Sequence, residues 1–564
     1  MDAIDIFTNK AMVWNKIHFG NIFKKKKNLM ARINGIQKAI ASKLSRFLLN
    51  LEDELLRDLD LVLNQEEELW ALKSRVNWMI QGDWNTAFYH VSTLVRRKRN
   101  QTIAIKNAVG DWIYEEGDIK DFIKSGFNGI YSTSHVAMAR VDPITSHWQA
   151  RLFEVERDNI SGGVNEEEIK SALWALKPFK ALSSDGLHAG FFQNFWPVVG
   201  DSVIEEVKKV FVSRKVSDFL NRTLIALIPK IQGPETLGNY RPISLCNTMY
   251  KVVTKIIVAR LRPYLDKLIS PLQMAFVPGR KGVNNVIIAE EIIHSLGSLG
   301  KKKGKTRYMA LKIDLEKTYD KLEWSFIRDM LIRINLPSDL IEVIMSCVTT
   351  VSTSILFNGE VLDLIFPYKG IRQGDPLSPY LFIICMDFLD QLIEEKCNIK
   401  MWQPVKASQS GQGFSHLFFA DDLIFFAKAD WTNCSAIRDL LDDFCSIFGQ
   451  TVSEAKSRVY FSPNVDRDTR KSLCDILGFA STPFLGKYLG FPLKQPGSSS
   501  QDYNFILDRV KQKLSGWKAN MLSLAGRSVL IQASTVAISC SVLIFHVGFW
   551  MDSIKLIGIS FGAL

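Results

Sequence analysis

Two adjacent carboxylates, Asp421 and Asp422, stand at the centre of an apolar segment, residues 416–428, in the second half of the chain. The Phe, Leu and Ile residues on either side are too few for two helices, so we expect two strands that join at this pair. An unpaired carboxylate in an apolar environment costs several kcal/mol, and buried carboxylates are usually paired or bind a metal ion. Aspartate is also an ordinary residue of tight hairpin turns. Both interpretations fit the pair alone.

A second carboxylate block lies far upstream, where Asp314 follows a predicted strand over 308–313 and precedes a predicted helix over 324–334. A carboxylate at the end of a strand can project into a cleft, so Asp314 and Asp421 could meet. Carboxylates that converge from different strands, with waters and phosphates in the remaining positions, suit Mg²⁺. Two such ions about 3.5 to 4 Å apart promote in-line phosphoryl transfer. Asp314 could instead cap the helix.

A third block, residues 370–379, is a turn rich in glycine and proline that leads into an apolar helix predicted over 380–393. Glycine allows close backbone approach, and proline is tolerated at a helix start. As local structure this block is only a turn. Beside a metal site, Arg372, Gln373 and the helix N-terminus could contact an anionic or base-bearing ligand.

The charge of the chain favours an anionic partner. The formal net charge of the 564 residues is +11, which is typical of proteins that bind nucleic acid; a basic surface without a ligand is the alternative. The eight cysteines show no metal-binding spacing, so we expect reduced thiols. The N-terminus lacks a secretory signal, so the protein is not expected to be secreted.

The sequence pattern changes several times along the chain. We expect a basic helical arm over 1–130, a helical extension over 131–222, a body of alternating strands and helices over 223–495, and helices with an apolar tail over 496–564. The basic runs 24–27 and 96–99 could bind phosphates, but they could also be solvated helix faces.

Several further motifs surround these blocks in a fixed order. They are Leu227–Lys230, Asn239–Leu245, Gln273–Arg280, Phe448–Ser457 and Lys487–Leu493. With the three blocks above, they resemble the reverse transcriptase of LINE-type non-LTR retrotransposons, most like the plant branch, over nearly the whole chain. The form Phe-Ala-Asp-Asp at 419–422 is similar to the non-LTR type rather than the retroviral one.

The resemblance implies an α+β fold, the right-hand polymerase of fingers, palm and thumb with a helical N-terminal extension. It implies copying of RNA into DNA from a 3′-hydroxyl primer, with an RNA template (the element RNA), a DNA primer and deoxynucleotides as partners. No stable membrane partner is expected. A nuclear or cytoplasmic ribonucleoprotein is the expected location.

The resemblance also implies residue roles. Two Mg²⁺ ions, which Mn²⁺ could replace, would be held by Asp314, Asp421, Asp422 and the backbone carbonyl of Leu315. Lys456 would protonate the leaving pyrophosphate. The nucleotide would be contacted by Arg241, Tyr319, Arg372, Gln373 and Gly374, and Tyr319 would exclude a 2′-hydroxyl. The primer end would be held by Tyr488, Leu489 and Gly490.

The chain also departs from the family pattern. It begins inside what resembles the linker after an endonuclease, and no RNase H or C-terminal zinc-binding region follows, so we expect a copy truncated at both ends. One alternative is a catalytically decayed nucleic-acid-binding remnant. Another is a tail-anchored membrane protein, because residues 528–551 carry no Asp, Glu, Lys or Arg and reach the length of about 20 residues that a membrane helix needs.

Overall fold

The structure is a computed structural model that describes residues 2–74, 76, 86–133, 151–180, 182–299, 306–406 and 411–493, with the single positions 508 and 529. The chain divides into two compact units. One contains residues 1–101 and 500–564, and the other contains residues 102–499. Apart from positions 508 and 529, the predicted thumb and apolar tail over 496–564 lie outside the described residues.

The first unit is helical in its described part. Its helices are α1 Asp2–Trp14, α2 Ile22–Ser42, α3 Arg46–Ser74 and α4 Thr86–Asn100. The Asn21 side chain accepts a hydrogen bond from the backbone N–H of Lys24, which caps α2. An ion pair of 2.7 Å between Lys26 and Glu66 joins α2 to α3. The described residues of this unit are therefore helical, as the sequence pattern predicts for this part of the chain.

The second unit begins with small elements and helices. These are β1 Ile105–Lys106, β2 Trp112–Ile113, α5 Glu116–Tyr131, α6 Glu154–Ser161, α7 Glu166–Trp174, α8 Ala189–Asn194 and α9 Trp196–Ser213. The middle part contains β3 Arg222–Pro229, β4 Tyr240–Cys246, α10 Thr248–Leu261, α11 Leu265–Leu268, α12 Gly282–Leu299, β5 Tyr308–Ile313, α13 Trp324–Arg333, α14 Ser338–Thr349, β6 Ser352–Phe357 and β7 Glu360–Ile365.

The last part of this unit contains α15 Ser378–Asn398, β8 Val405–Lys406, β9 Gly413–Phe414, β10 His416–Phe419, β11 Asp422–Lys428, α16 Trp431–Phe448, β12 Arg458–Phe461, α17 Arg467–Leu477, β13 Ala480–Ser481, β14 Lys487–Tyr488 and β15 Phe491–Pro492. This mixture of helices and sheets confirms the predicted α+β class. The strand predicted over 308–313 has the bounds of β5.

The central sheet has five strands in the order β10-β11-β5-β12-β13. Strand β11 is antiparallel to β5, with Leu423 opposite Ile313 and Phe425 opposite Leu311. These four side chains are buried. Both faces of β5 and β11 are covered. The sequences of these strands are therefore nearly continuous runs of apolar residues, without the alternation of apolar and polar residues that is typical of half-exposed strands.

A second sheet of four strands has the order β4-β3-β6-β7. Strands β3 and β6 are parallel, and β3 pairs with β4 in antiparallel register. Ile225, Ile355 and Phe357 of this sheet form one buried cluster with Ile119 and Ile123 of α5. Burial of each such side chain contributes about 1.5 to 3 kcal/mol, so α5 is part of the core of this sheet.

No helix in the described part of the chain is long and apolar enough to cross a membrane. The segment 528–551, on which the membrane alternative rests, is not among the described residues apart from position 529.

Candidate active site

The carboxylate pair lies at a two-residue hairpin between β10 and β11. Phe419 pairs with Asp422 across the turn, so the turn residues are Ala420 and Asp421, and Asp422 is the first residue of β11. The sequence prediction of strands that join at Asp421 and Asp422 is therefore wrong by one residue. Ala420 has a positive φ of 55° whereas Asp421 does not, which is the sign pattern of a type II′ hairpin turn.

The sheet register brings the two carboxylate blocks together. Because Leu423 lies opposite Ile313, Asp422 and Asp314 are neighbours at the same end of β11 and β5. Burial raises the pKa of Asp422, and the nearby charges of Asp421 and Asp314 raise it further while Lys312 opposes them. The register therefore places Asp314 beside Asp422, the residue that follows Asp421.

Other contacts fix these carboxylates in place. The backbone N–H of Asp314 donates to Ser457 Oγ at 3.1 Å, and its carbonyl accepts from the N–H of Ser453 at 2.8 Å. The hydroxyl of Thr318 donates to Asp421 Oδ2 at 3.3 Å. These bonds hold the end of β5 and the turn in one arrangement.

The donor chemistry of the site suits a divalent cation, because converging carboxylates whose charges repel one another need a counter-charge. Leu315, the predicted carbonyl ligand, is buried and its backbone forms an isolated bridge with Val452. Within the described ranges, no group of three His, Cys, Asp or Glu side chains is close enough to hold a metal ion. The carboxylates are therefore adjacent, but they do not form a closed ligand set.

Cationic side chains lie beside the carboxylates. Lys456 Nζ is 3.5 Å from Asp314 Oδ1, and its side chain is 69% exposed. Burial lowers the pKa of Lys230, as do the positive charges of Arg241 and Lys456, whereas Asp320 and Asp314 raise it. Lys230 was not among the predicted site residues. Lys230 could have been found from the sequence, because it follows the apolar strand β3 directly and ends the motif 227–230.

Tyr319 is a rigid, half-buried ring close to the hairpin. It stacks on Phe382 with ring centroids 5.0 Å apart and planes at 15°. Its carbonyl accepts from the N–H of Ile371 at 2.7 Å. Burial raises the pKa of Tyr319, and the charge of Asp421 adds to the effect. Tyr319 therefore keeps its hydroxyl proton beside the charge of Asp421.

The turn that contains Gln373 and Gly374 lies against strand β4, which also carries Arg241. The carbonyl of Gln373 accepts from the N–H of Ser244 at 2.7 Å. Gly374 has a φ of +111°, and a Cβ there would lie 2.9 Å from the Ser244 carbonyl oxygen. Only glycine fits this close approach. Arg241 is exposed on the same strand.

Arg372 does not lie at a free surface. Its side chain is 9% exposed, and its guanidinium donates to Asn221 Oδ1 at 2.8 Å, to Thr223 Oγ1 at 2.9 Å and to the Cys347 carbonyl at 3.0 Å. The predicted contact between Arg372 and a nucleotide does not fit this placement, because the planar donor face is already used inside the protein. Arg372 anchors the turn instead.

The predicted primer-holding residues form the β14–β15 hairpin. Leu489 and Gly490 have positive φ values of 49° and 89°, as both central residues of a type I′ turn do. Tyr488 is fully buried, and its hydroxyl oxygen accepts from Asn285 Nδ2 at 3.3 Å. Burial raises the pKa of Tyr488, and Asp422 raises it further. Tyr488 therefore supports the hairpin from inside, and Gly490 is exposed at its tip.

Residues 228–493 match the family model described as reverse transcriptase (RNA-dependent DNA polymerase). A protein of Xenopus laevis named transposon TX1 uncharacterized 149 kDa protein is 22% identical over 467 residues, which cover 82% of this chain and 34% of that protein. The Retrovirus-related Pol polyprotein from type-2 retrotransposable element R2DM of Drosophila melanogaster is 26% identical over 230 residues, 41% of this chain and 20% of that protein.

A third relative is a short protein of Arabidopsis thaliana named uncharacterized mitochondrial protein AtMg01250. It is 34% identical over 108 residues, which cover 19% of this chain and 86% of that protein. The chain spans about a third of the length of the TX1 protein and about a fifth of that of the R2DM protein.

Proposed function

Because the chain belongs to the reverse transcriptases of non-LTR retrotransposons, we propose that it copies RNA into DNA by extending the 3′-hydroxyl of a primer. The observation that carries this proposal is the register of β5 and β11, which makes Asp314 and Asp422 neighbours beside Asp421. A carboxylate cluster at the end of a central sheet, with cations beside it, has the chemistry that nucleotidyl transfer needs.

Reverse transcriptases generally use divalent metal ions. We propose that two Mg²⁺ ions, replaceable by Mn²⁺, are held by the carboxylates of Asp314, Asp421 and Asp422 and by the carbonyl of Leu315. Such ions stabilise the negative charge that develops on the attacking and leaving oxygens. Burial raises the pKa of Asp422, and the charges of Asp421 and Asp314 raise it further; a bound cation would favour the charged carboxylate and so oppose both effects.

The neighbouring cations are proposed to bind the triphosphate. Arg241 and Lys456 were expected there, and Lys230 joins them because the three positive charges lie near one another and near Asp314. Lys456 would supply the proton to the leaving pyrophosphate. Tyr319 would lie against the sugar and exclude a 2′-hydroxyl.

The turn at Gln373 and Gly374 would contact the nucleotide and template, and the tip of the β14–β15 hairpin would hold the primer end. We propose that residues 223–495 are the fingers and palm, with 131–222 as their extension, 1–130 as the basic arm and 496–564 as the thumb. An RNA template, a DNA primer and deoxynucleotides are the proposed partners. A nuclear or cytoplasmic ribonucleoprotein is the proposed location.

Primer extension on poly(rA)/oligo(dT) with Mg²⁺ tests the proposal. The parent is expected to incorporate dTTP, and Asp421→Asn should abolish incorporation because it removes a carboxylate charge from the cluster. Asp363→Asn is the matched control, since Asp363 is an exposed carboxylate on β7 that pairs with Lys124. Equal incorporation by the parent and Asp421→Asn would refute the assignment. A parent that binds RNA but incorporates nothing would support the decayed remnant.

A further inference from the structure

The strand that leads into the catalytic turn is held from outside the central sheet. Strand β10 is at the edge of that sheet, and residues 272–274 run along its free side. The N–H of Phe418 donates to the Leu272 carbonyl at 2.9 Å, and the N–H of Met274 donates to the Phe418 carbonyl at 3.0 Å. A loop segment therefore fixes β10, although it forms only one isolated parallel bridge, between Gln273 and Phe418.

The side chain of Gln273 reaches the catalytic turn itself. Its Oε1 accepts from the N–H of Ala420 at 2.9 Å and from the N–H of Ala275 at 3.0 Å. Gln273 is 2% exposed. Ala420 has the positive φ described above. This conformation is unfavourable in free energy for a residue that carries a side chain. The bond from Ala420 to Gln273 offsets that cost and fixes the residue next to Asp421.

Asn285, in the first turns of α12, connects the catalytic hairpin to the β14–β15 hairpin. Its Nδ2 donates to the Phe418 carbonyl at 2.8 Å and to the Tyr488 hydroxyl oxygen at 3.3 Å. Asn285 is fully buried. One amide group therefore contacts the strand that carries the metal-binding turn and the strand that precedes the predicted primer-holding turn.

The same end of α12 packs between the two hairpins. A Cβ at Gly282 would lie 2.7 Å from Phe419 Cε2 and 3.4 Å from Leu489 Cδ1. Phe419 is the last residue of β10, and Leu489 is in the turn of the other hairpin. The helix start thus approaches both so closely that a side chain at Gly282 would displace one of them.

Both amide side chains also keep one polar atom without a partner. Among the described residues, Gln273 Nε2 and Asn285 Oδ1 are buried without a hydrogen bond. An unsatisfied buried polar group costs about 1 to 3 kcal/mol. An apolar side chain of similar volume would avoid that cost, but it would leave the N–H groups of Ala420 and Ala275, or the Phe418 carbonyl, without this partner. The two amides form hydrogen bonds to the β10–β11 hairpin, and Asn285 also bonds to Tyr488 of the other hairpin. These bonds indicate a positioning role.

We propose that Gln273 and Asn285 are positioning residues: Gln273 fixes the metal-binding turn, and Asn285 fixes the primer-holding hairpin relative to the strand that carries that turn. This inference rests on the proposed function, because it assigns the two hairpins to primer and metal. The proposed primer-holding turn and the metal-binding carboxylates lie on separate chain segments. A misplacement of about 1 Å between reacting groups can cost about a hundredfold in rate, so the connection through α12 would set the rate of the chemical step.

Hydrogen exchange followed by mass spectrometry tests the connection without relying on activity. Asn285→Leu removes the shared donor, and Asn284→Leu, at an exposed neighbouring position, is the matched control. Asn285→Leu should raise exchange about tenfold in peptides that contain residues 416–422 and also in peptides that contain residues 487–493, as the loss of a net hydrogen bond predicts. A rise in only one of these segments, or in neither, would overturn the proposal.

Gln273 is tested by a pair of substitutions. Gln273→Met removes both hydrogen bonds at similar volume, and Gln273→Glu keeps an oxygen that can accept them. In primer extension, Gln273→Met should lower kcat about a hundredfold with the KM for dTTP within about twofold of the parent, and Gln273→Glu should restore most of the loss. Equal kcat for both variants would contradict the positioning role.

The two tests separate the inference from the proposed function. If the parent does not extend a primer while Asn285→Leu still raises exchange in both hairpins, the proposed function fails and the connection between the hairpins stands. If the parent extends a primer while exchange in the two hairpins is unchanged by Asn285→Leu, the positioning inference fails and the proposed function stands.

Discussion

The substitution Arg372→Met tests whether Arg372 contacts a nucleotide, as the sequence pattern predicts, or stabilises the fold, as the structure indicates. The two interpretations predict different effects on nucleotide binding and on the free energy of unfolding. If the guanidinium contacted a nucleotide, Arg372→Met would weaken nucleotide binding and leave the fold intact. In the structure the guanidinium donates three hydrogen bonds, to Asn221, Thr223 and Cys347. Arg372→Met should therefore lower the free energy of unfolding of the protein.

The size of the effect follows from the groups that Arg372 would leave behind. Asp375 lies 3.6 Å from the guanidinium with its side chain 5% exposed, and the Arg372 guanidinium lies 4.0 Å from the ring centroid of Tyr250. Removal of one partner of a buried ion pair costs about 3 to 5 kcal/mol, because the other charge is left unpaired. Tyr250 still donates to Asp375 at 2.7 Å, so we expect a loss near 3 kcal/mol.

Urea denaturation followed by circular dichroism measures this loss. Arg241→Met is the matched control, because Arg241 is exposed on β4, and its free energy of unfolding should change by less than about 0.5 kcal/mol. Arg241→Met should instead raise the KM for dTTP about tenfold or more, as loss of a charged hydrogen bond predicts. The double variant Arg372→Met/Asp375→Asn should lose less than the sum of the single losses. Unchanged unfolding of Arg372→Met together with a tenfold higher KM would refute this placement of Arg372.

Two further predictions concern residues next to each other in the site. Tyr319→Val should remove the steric wall and admit ribonucleotides, so the ratio of dTTP to rUTP incorporation in primer extension should fall; an unchanged ratio would exclude Tyr319 as the selecting residue. Burial raises the pKa of Asp320 to about 6 against the opposing charges of Lys317 and Lys230. Because the folded-state pKa exceeds the unfolded value near 4, the folded state binds more protons between these values, and stability is lost as the pH rises through 6. Asp320→Asn should therefore gain about 3 kcal/mol over the parent between pH 4 and pH 7 in urea denaturation, and a constant difference across that range would contradict the assignment.

The β10–β11 hairpin could be predicted because its sequence follows simple rules of strand length and turn composition. Apolar runs of strand length lie on both sides of Asp421 and Asp422, and another lies before Asp314. These runs predict three strands, each with a carboxylate at one end. The structure pairs these strands in one sheet. The exact turn was wrong by one residue, because a positive φ at Ala420 is not expected for a residue with a side chain.

The roles of the polar residues near the hairpin could not be predicted in the same way. Arg372 was expected to contact a nucleotide from the turn 370–379, and arginine is rarely buried. Its burial depends on Thr223 of β3 and Cys347 of α14, which lie on other elements. Gln273 and Asn285 give no periodic signal, because their partners are backbone groups and a hydroxyl far away in the sequence. Such contacts exist only after the chain has folded.

The separation of the carboxylate blocks along the chain also has a consequence for synthesis. Thr318 and Asp421, which are joined by a hydrogen bond, are 103 positions apart. At a translation rate of about 5 to 20 residues per second, β5 waits about 5 to 20 s on the ribosome before its partner β11 is made. Contacts between distant residues also form slowly after synthesis. The nascent chain therefore carries the apolar β5 for several seconds before the strand that covers its edge has been made.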